Sequence, residues 1–162
     1  MKKALLILIV VLIGMYLFPV KQFTFDEKYP ADDALSESLR LFREEPTKTL
    51  NVNDHNWTYF VAGQSDTTLL FLHGMGGSYD IWWQQLNHFR KNYKVLSLSY
   101  PSVKSLKQLS EGILAILEKE KIQKVVVVGS SLGGYLAQYL AVHYPEKMIK
   151  ASLGNTFAPN TE

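Results

Sequence analysis

The chain opens on an unbroken apolar run and then changes its pattern several times. ALLILIVVLIGMYLF, residues 4–18, carries no charge and follows Lys2 and Lys3. With Pro19 and Val20 counted the run reaches 17 residues, the short end of the roughly 17–25 that span a bilayer. MYLFPVKQF offers only bulky residues where a signal peptidase needs small ones, so segment 1–20 reads as an uncleaved signal anchor forming an N-terminal transmembrane helix. A cleaved signal peptide is the alternative. The lysine pair favours a cytoplasmic N-terminus, which makes the protein single-pass with its domain on the exported side of the membrane. Residues 21–46 turn polar, with Pro30, Asp32, Asp33 and one short helical patch, ALSESLRLF (34–42), and read as a tether.

From residue 47 to 162 the pattern is that of a folded domain. KTLNVN and WTYFVAG flank the turn residues Asp54-His55-Asn56, a hairpin signal, and TTLLFLHG is a short apolar strand closed by glycine. SYDIWWQQLNHFRKN then places Tyr79, Trp82, Trp83, Leu86 and Phe89 at helical spacing, with Ser78 as N-cap. YKVLSLSYP returns to strand. SLKQLSEGILAILEKE repeats the helical stripe at Leu106, Leu109, Ile113, Ile116 and Leu117, interrupted by Gly112. KVVVV reads as a fully buried strand, SLGGYLAQYLAVHY as a helix with Leu132, Leu136, Tyr139 and Leu140 on one side, and MIKASLGNTF as a sixth strand. Strands alternating with helices imply an α/β fold: a mostly parallel sheet behind an antiparallel leading hairpin, with helices on both faces.

Composition narrows the function classes. The chain has 162 residues, 47% apolar and 20% charged, enough for one core. Its net charge of +2 equals the contribution of Lys2 and Lys3, so the remainder is formally neutral and offers no basic face to nucleic acid. With no cysteine there is no disulfide, thiolate metal site or thiol nucleophile. No histidine or carboxylate cluster has ligand spacing, so neither metal nor cofactor is expected.

The chemistry lies where the valine strand meets the following helix. Gly129-Ser130-Ser131-Leu132-Gly133 fits Gly-x-Ser-x-Gly with a strand before it and a helix after it, the context in which a serine sits exposed on a strained turn. Gly129 and Gly133 remove side chains where strand and helix pass closely. A serine nucleophile needs a base for its proton and donors for the oxyanion. One donor is the backbone N–H of Leu132. The other is assigned to Met75, in the loop His73-Gly74-Met75-Gly76-Gly77 that follows the third strand; the same glycines also suit a plain strand-to-helix turn.

Taken together, the HGMGG loop, the GSSLGG elbow and HYPEKMIKASLGN resemble the α/β-hydrolase family over residues 48–157, about two thirds of this chain and the N-terminal half of a member. YKVLSLSYP, GSSLGGYLAQ and SLGNTF most closely resemble the maspardin-like branch. The resemblance implies a serine hydrolase acting on a carboxylester or related small-molecule acyl substrate, with Ser131 catalytic, Met75 and Leu132 at the oxyanion, and His73, Gly74, Gly129 and Gly133 supporting them. Maspardin itself lacks the HG loop and is regarded as a binding protein, which implies the alternative of a non-catalytic adaptor with a protein partner.

In this family the acid and then the histidine follow the serine in chain order, on later strands. His55 lies in the leading hairpin, His88 near the end of the first helix of the domain, and His143 about 18 Å along the elbow helix from Ser131. His73 precedes the oxyanion glycine and is expected to pack beneath the loop. The reading is therefore of a truncated hydrolase lacking the C-terminal strands, the acid and the catalytic histidine, with an inactive fragment as a further alternative.

Overall fold

In the computed structural model, which describes residues 2–17, 23–28 and 33–158, the chain divides into two units, Met1–Ser38 and Leu39–Glu162. Within the first, α1 (Lys2–Leu17) follows from a run with no breaker other than Gly14, and it leaves Leu5, Ile7, Leu8, Val10, Val11 and Leu12 all exposed. Its 16 residues rise about 24 Å, short of a hydrocarbon core of about 30 Å. Among the described residues no helix is long and apolar enough to cross a membrane. Residues 18–20 of the expected anchor, and 21, 22 and 29–32 of the expected tether, lie outside the described residues. A single turn, α2 (Phe25–Lys28), is closed by a reciprocal cap: Thr24 N–H donates to Glu27 Oε2 at 2.9 Å and Glu27 N–H to Thr24 Oγ1 at 3.3 Å.

The second unit begins inside α3 (Ala34–Glu44) rather than at residue 47. Phe42 is the reason: it is 1% exposed and its ring lies 4.8 Å from that of Phe60. Arg43 Nε donates to Asp80 Oδ2 at 2.6 Å, and Arg90 bonds Glu45 across both carboxylate oxygens. The last turn of the helical patch is thus part of the domain.

Six strands follow among the described residues: β1 (Lys48–Val52), β2 (His55–Ala62), β3 (Thr68–Leu72), β4 (Lys94–Ser99), β5 (Val125–Ser130) and β6 (Met148–Gly154). They form one sheet in the order β1-β2-β4-β3-β5-β6, antiparallel at β1–β2 and β2–β4 and parallel elsewhere. The leading hairpin turns at Asn53 and Asp54, both at positive φ (50° and 63°), a two-residue connection that these side chains tolerate. His55 and Asn56 therefore belong to β2 and not to the turn. The helices are α4 (Trp83–Phe89), α5 (Leu106–Lys119) and α6 (Leu132–His143).

Alternate residues of the sheet feed two cores. Leu70, Leu72, Val125 and Val127 pack with Ile113 and Ile116 of α5 and Leu136 and Leu140 of α6. Leu69, Phe71 and Val95 pack with Phe42 and Leu86 on the other face, where Tyr79, Trp82, Trp83 and Phe89 are partly buried. The valine strand is not buried on both sides: Val125 and Val127 are sealed, whereas Val126 and Val128 are only partly covered. Tyr139 leaves the expected α6 stripe and instead lies 4.1 Å from the His143 ring. At the edge, β6 is exposed on nearly every residue, including Ile149 (49%) and Leu153 (44%).

Candidate active site

β5 ends at Ser130 and α6 starts at Leu132, so the whole reversal falls on Ser131. Its backbone sits at φ 53° and ψ −120°, a conformation that an L-residue adopts only when its surroundings enforce it. Three contacts do so. Ser131 N–H donates to Gly154 O at 3.0 Å, and Ser131 O accepts from Tyr135 N–H at 3.0 Å and from Thr156 Oγ1 at 2.9 Å. A Cβ on Gly129 would lie 2.4 Å from Gly133 O, and one on Gly133 2.1 Å from Leu72 O. Strand, helix and neighbouring strand pass too closely for any side chain at either position. The Ser131 side chain makes no capping hydrogen bond and is exposed.

The HGMGG loop lies against this turn. A Cβ on Gly74 would come within 3.1 Å of Ser131 Cβ and 3.6 Å of Ser131 Oγ. The loop closes on itself through Gly77 N–H to Gly74 O at 3.2 Å, with Gly76 at φ 74°. Met75, 86% exposed, projects its side chain outward. Leu132, as the first residue of α6, has an N–H with no partner inside the helix.

His73 sits beneath the loop, 2% exposed. Its Nδ1 lies 2.6 Å from Gly74 O; a carbonyl only accepts, so Nδ1 carries the proton. Burial pushes the imidazole below its ordinary pKa, against weaker opposing effects of the Gly74 carbonyl and the Asp80 carboxylate, and the ring is neutral at pH 7. Tyr100 holds it from the other side, with ring centroids 3.9 Å apart and its hydroxyl donating to His73 O at 3.1 Å. Burial raises the Tyr100 phenol, which keeps it a donor.

The structure thus brings Ser131, Gly74, Gly129, Gly133 and His73 together; Leu132 follows the serine directly, and Met75 follows Gly74 in the loop. It does not bring in His55, on the leading hairpin, His88, on α4, or His143, at the far end of α6. Tyr100 and Thr156 escape the sequence reading, because a strand-end tyrosine and a post-strand threonine carry no spacing signal. Ser78 occupies the N-cap position of a 3₁₀ turn (Tyr79–Trp82) but makes no side-chain cap, since its hydroxyl donates to Asp80 Oδ1 instead. Beside the elbow is a cavity of about 190 Å³ lined by His73, Ile81, Trp82, Gln84, Gln85 and Ser130. A larger hollow of about 660 Å³ includes Ile122 and Gln123, at the opposite end of β5 from Ser131. Among the described residues there is no group of histidines and carboxylates able to hold a metal.

The fold recurs in known proteins. The family model described as "alpha/beta hydrolase fold" matches residues 67–161. The chain is 29% identical over 120 residues to 3-oxoadipate enol-lactonase 2 of Acinetobacter baylyi, covering 68% of this chain and 45% of that protein. It is 30% identical over 121 residues to maspardin of Rattus norvegicus, covering 70% and 46% respectively. A solved hydrolase from Pseudomonas aeruginosa superposes with a TM-score of 0.64 at 25% identity, over 72% of this chain and 49% of that one. The chain spans about half the length, or less, of the curated relatives it matches.

Proposed function

Because the chain belongs to the alpha/beta hydrolase fold family, we propose that it carries the nucleophile and oxyanion donors of a membrane-anchored serine hydrolase acting on a carboxylester or related acyl compound. Ser131 Oγ attacks the substrate carbonyl and forms the new C–O bond, while the carbonyl π pair moves onto oxygen. The N–H groups of Met75 and Leu132 hold that oxyanion. The serine proton passes to a general base and from there to the departing alkoxide; water then releases the acyl group by the same steps in reverse order. We place the base and its acid partner outside the described residues, because His73 commits Nδ1 to Gly74 O and the other three histidines sit on remote elements. The observation that carries the reading is the backbone of Ser131, a strained conformation imposed on an exposed hydroxyl.

Labelling with a fluorophosphonate tests it. Adduct on Ser131, abolished in Ser131→Ala, is the expected outcome. A chain that is folded by circular dichroism yet unlabelled favours the second reading, a non-catalytic binding module, which the likeness to maspardin supports. Anchoring rests on α1, which opens with Lys2 and Lys3 and is apolar on all sides thereafter. Full-length chain should stay with membranes through alkaline carbonate extraction; release into the supernatant would remove the anchor from the proposal.

A further inference from the structure

Gly-x-Ser-x-Gly accounts for Gly129 and Gly133 but not for Gly134, the second glycine of the pair. In the fold Gly134 faces the segment that leaves β6: a Cβ there would lie 2.7 Å from Thr156 Cβ and 2.9 Å from its Oγ1. The missing side chain lets Thr156 reach the start of α6, where its hydroxyl donates to Ser131 O at 2.9 Å. The segment around Thr156 is tied down. Asn155 turns the chain at φ 46°, Gln138 Nε2 donates to Phe157 O at 2.9 Å, and the Phe157 ring stacks on Tyr135 with centroids 4.8 Å apart.

We propose that Thr156 is a positioning residue for the oxyanion: it aims the Leu132 N–H by fixing the peptide that joins Ser131 to Leu132. A trans peptide is planar, with its C=O and N–H pointing in opposite directions, so whatever holds Ser131 O sets the direction of the Leu132 N–H. Tyr135 N–H donates to Ser131 O at 3.0 Å along the helix. That bond alone leaves the plane free to tilt in the first turn of α6; the bond from Thr156 comes from a different element and removes the tilt. Ser131 N–H, on the preceding peptide, is held separately by Gly154 O at 3.0 Å. The exit of β6 thus grips both peptides that flank the nucleophile, one through a carbonyl and the other through a hydroxyl. Donation to Ser131 O also polarises the peptide and makes the Leu132 N–H a stronger donor. Threonine suits the task, because its branched Cβ restricts χ1 and keeps the hydroxyl aimed. The role rests on Ser131 being the reacting group.

The test compares variants of the full chain in detergent micelles. Thr156→Val replaces the hydroxyl by a methyl of similar size, Thr156→Ser keeps the hydroxyl, and Gly134→Ala pushes an unaltered Thr156 away. The first readout is the rate of fluorophosphonate labelling, in which the phosphoryl oxygen takes the oxyanion's place as fluoride leaves. Thr156→Val and Gly134→Ala should label about tenfold more slowly than the parent and Thr156→Ser within about threefold of it, while the thermal midpoints of the two Thr156 variants stay alike. The second readout needs no reaction. In ¹³C,¹⁵N-labelled chain the Ser131 carbonyl shift and the Leu132 N–H residual dipolar coupling should move in Thr156→Val and hold in Thr156→Ser, while the Ser131 N–H, bonded to Gly154, keeps its slow exchange. Thr156→Val labelling at the parent rate, or leaving both signals in place, overturns the proposal; so does a Thr156→Ser chain as slow as Thr156→Val. Failure of the nucleophile reading shows separately, as a parent chain that takes no adduct, and the two signals then still decide whether Thr156 sets that peptide.

Discussion

Ser131 and His73 are two residues whose surroundings override their ordinary behaviour. At Ser131 the strain is held by Gly154 and Thr156, and the approach of the HGMGG loop leaves no spare room. Gly74→Ala sets a methyl 3.1 Å from Ser131 Cβ and 3.6 Å from its Oγ, crowding the hydroxyl without touching the core. Fluorophosphonate labelling of that variant should fall by about tenfold or more while the unfolding midpoint stays nearly constant; unchanged labelling would mean that the loop does not face the nucleophile. At His73 burial lowers the folded-state pKa, so the unfolded chain binds the proton more tightly. This group's contribution to stability is therefore full above the unfolded value of about 6.5, declines as pH falls below it, and levels off beneath the folded value. Denaturant midpoints between pH 8 and 5 should drop on the acid side, and His73→Asn should flatten that limb. The same two residues mark what was legible locally: Gly-x-Ser-x-Gly announces a turn, but nothing near His73 in sequence says that Tyr100 will cover it.

Among the elements, the glycines decide how closely helices and strands approach. Gly112 looks like a weak point in a helix by propensity alone. In the fold it is the gap into which Trp57 fits: an added Cβ would lie 2.0 Å from Trp57 Cζ2, in a ring that is 1% exposed. Gly133 serves α6 in the same way against Leu72 O. Alanine at either position should cost about 3 kcal/mol or prevent folding, whereas Gly154→Ala, with nothing within 4 Å, should stay within about 0.5 kcal/mol. Thermal melts of the three variants check this, and a Gly112→Ala chain as stable as the parent would contradict the packing of α5 on β2. The helical stripes of α4 and α5 were readable because their period is local. The α6 stripe was readable only in part, since Tyr139 meets His143 instead of the sheet.

Over the whole sheet, cover is uneven. β3 is buried at every residue and paired on both sides, while β6 is paired on one side and exposed on most residues. Amide exchange should reflect that gradient: slowest in β3, and far faster in β6, which opens without global unfolding. Uniform protection across both strands would mean that something covers β6 in solution. The amino-acid sequence alone determined the succession of strands and helices, the leading hairpin and the position of the elbow, because hydrophobic period and glycine spacing act over a few residues. Other features are decided by groups far apart in the chain: that Phe42 draws the end of the helical patch into the domain, that Thr156 and Gly154 hold Ser131, and that Tyr100 covers His73. Those depend on where packing brings distant side chains, and only the assembled fold sets such distances.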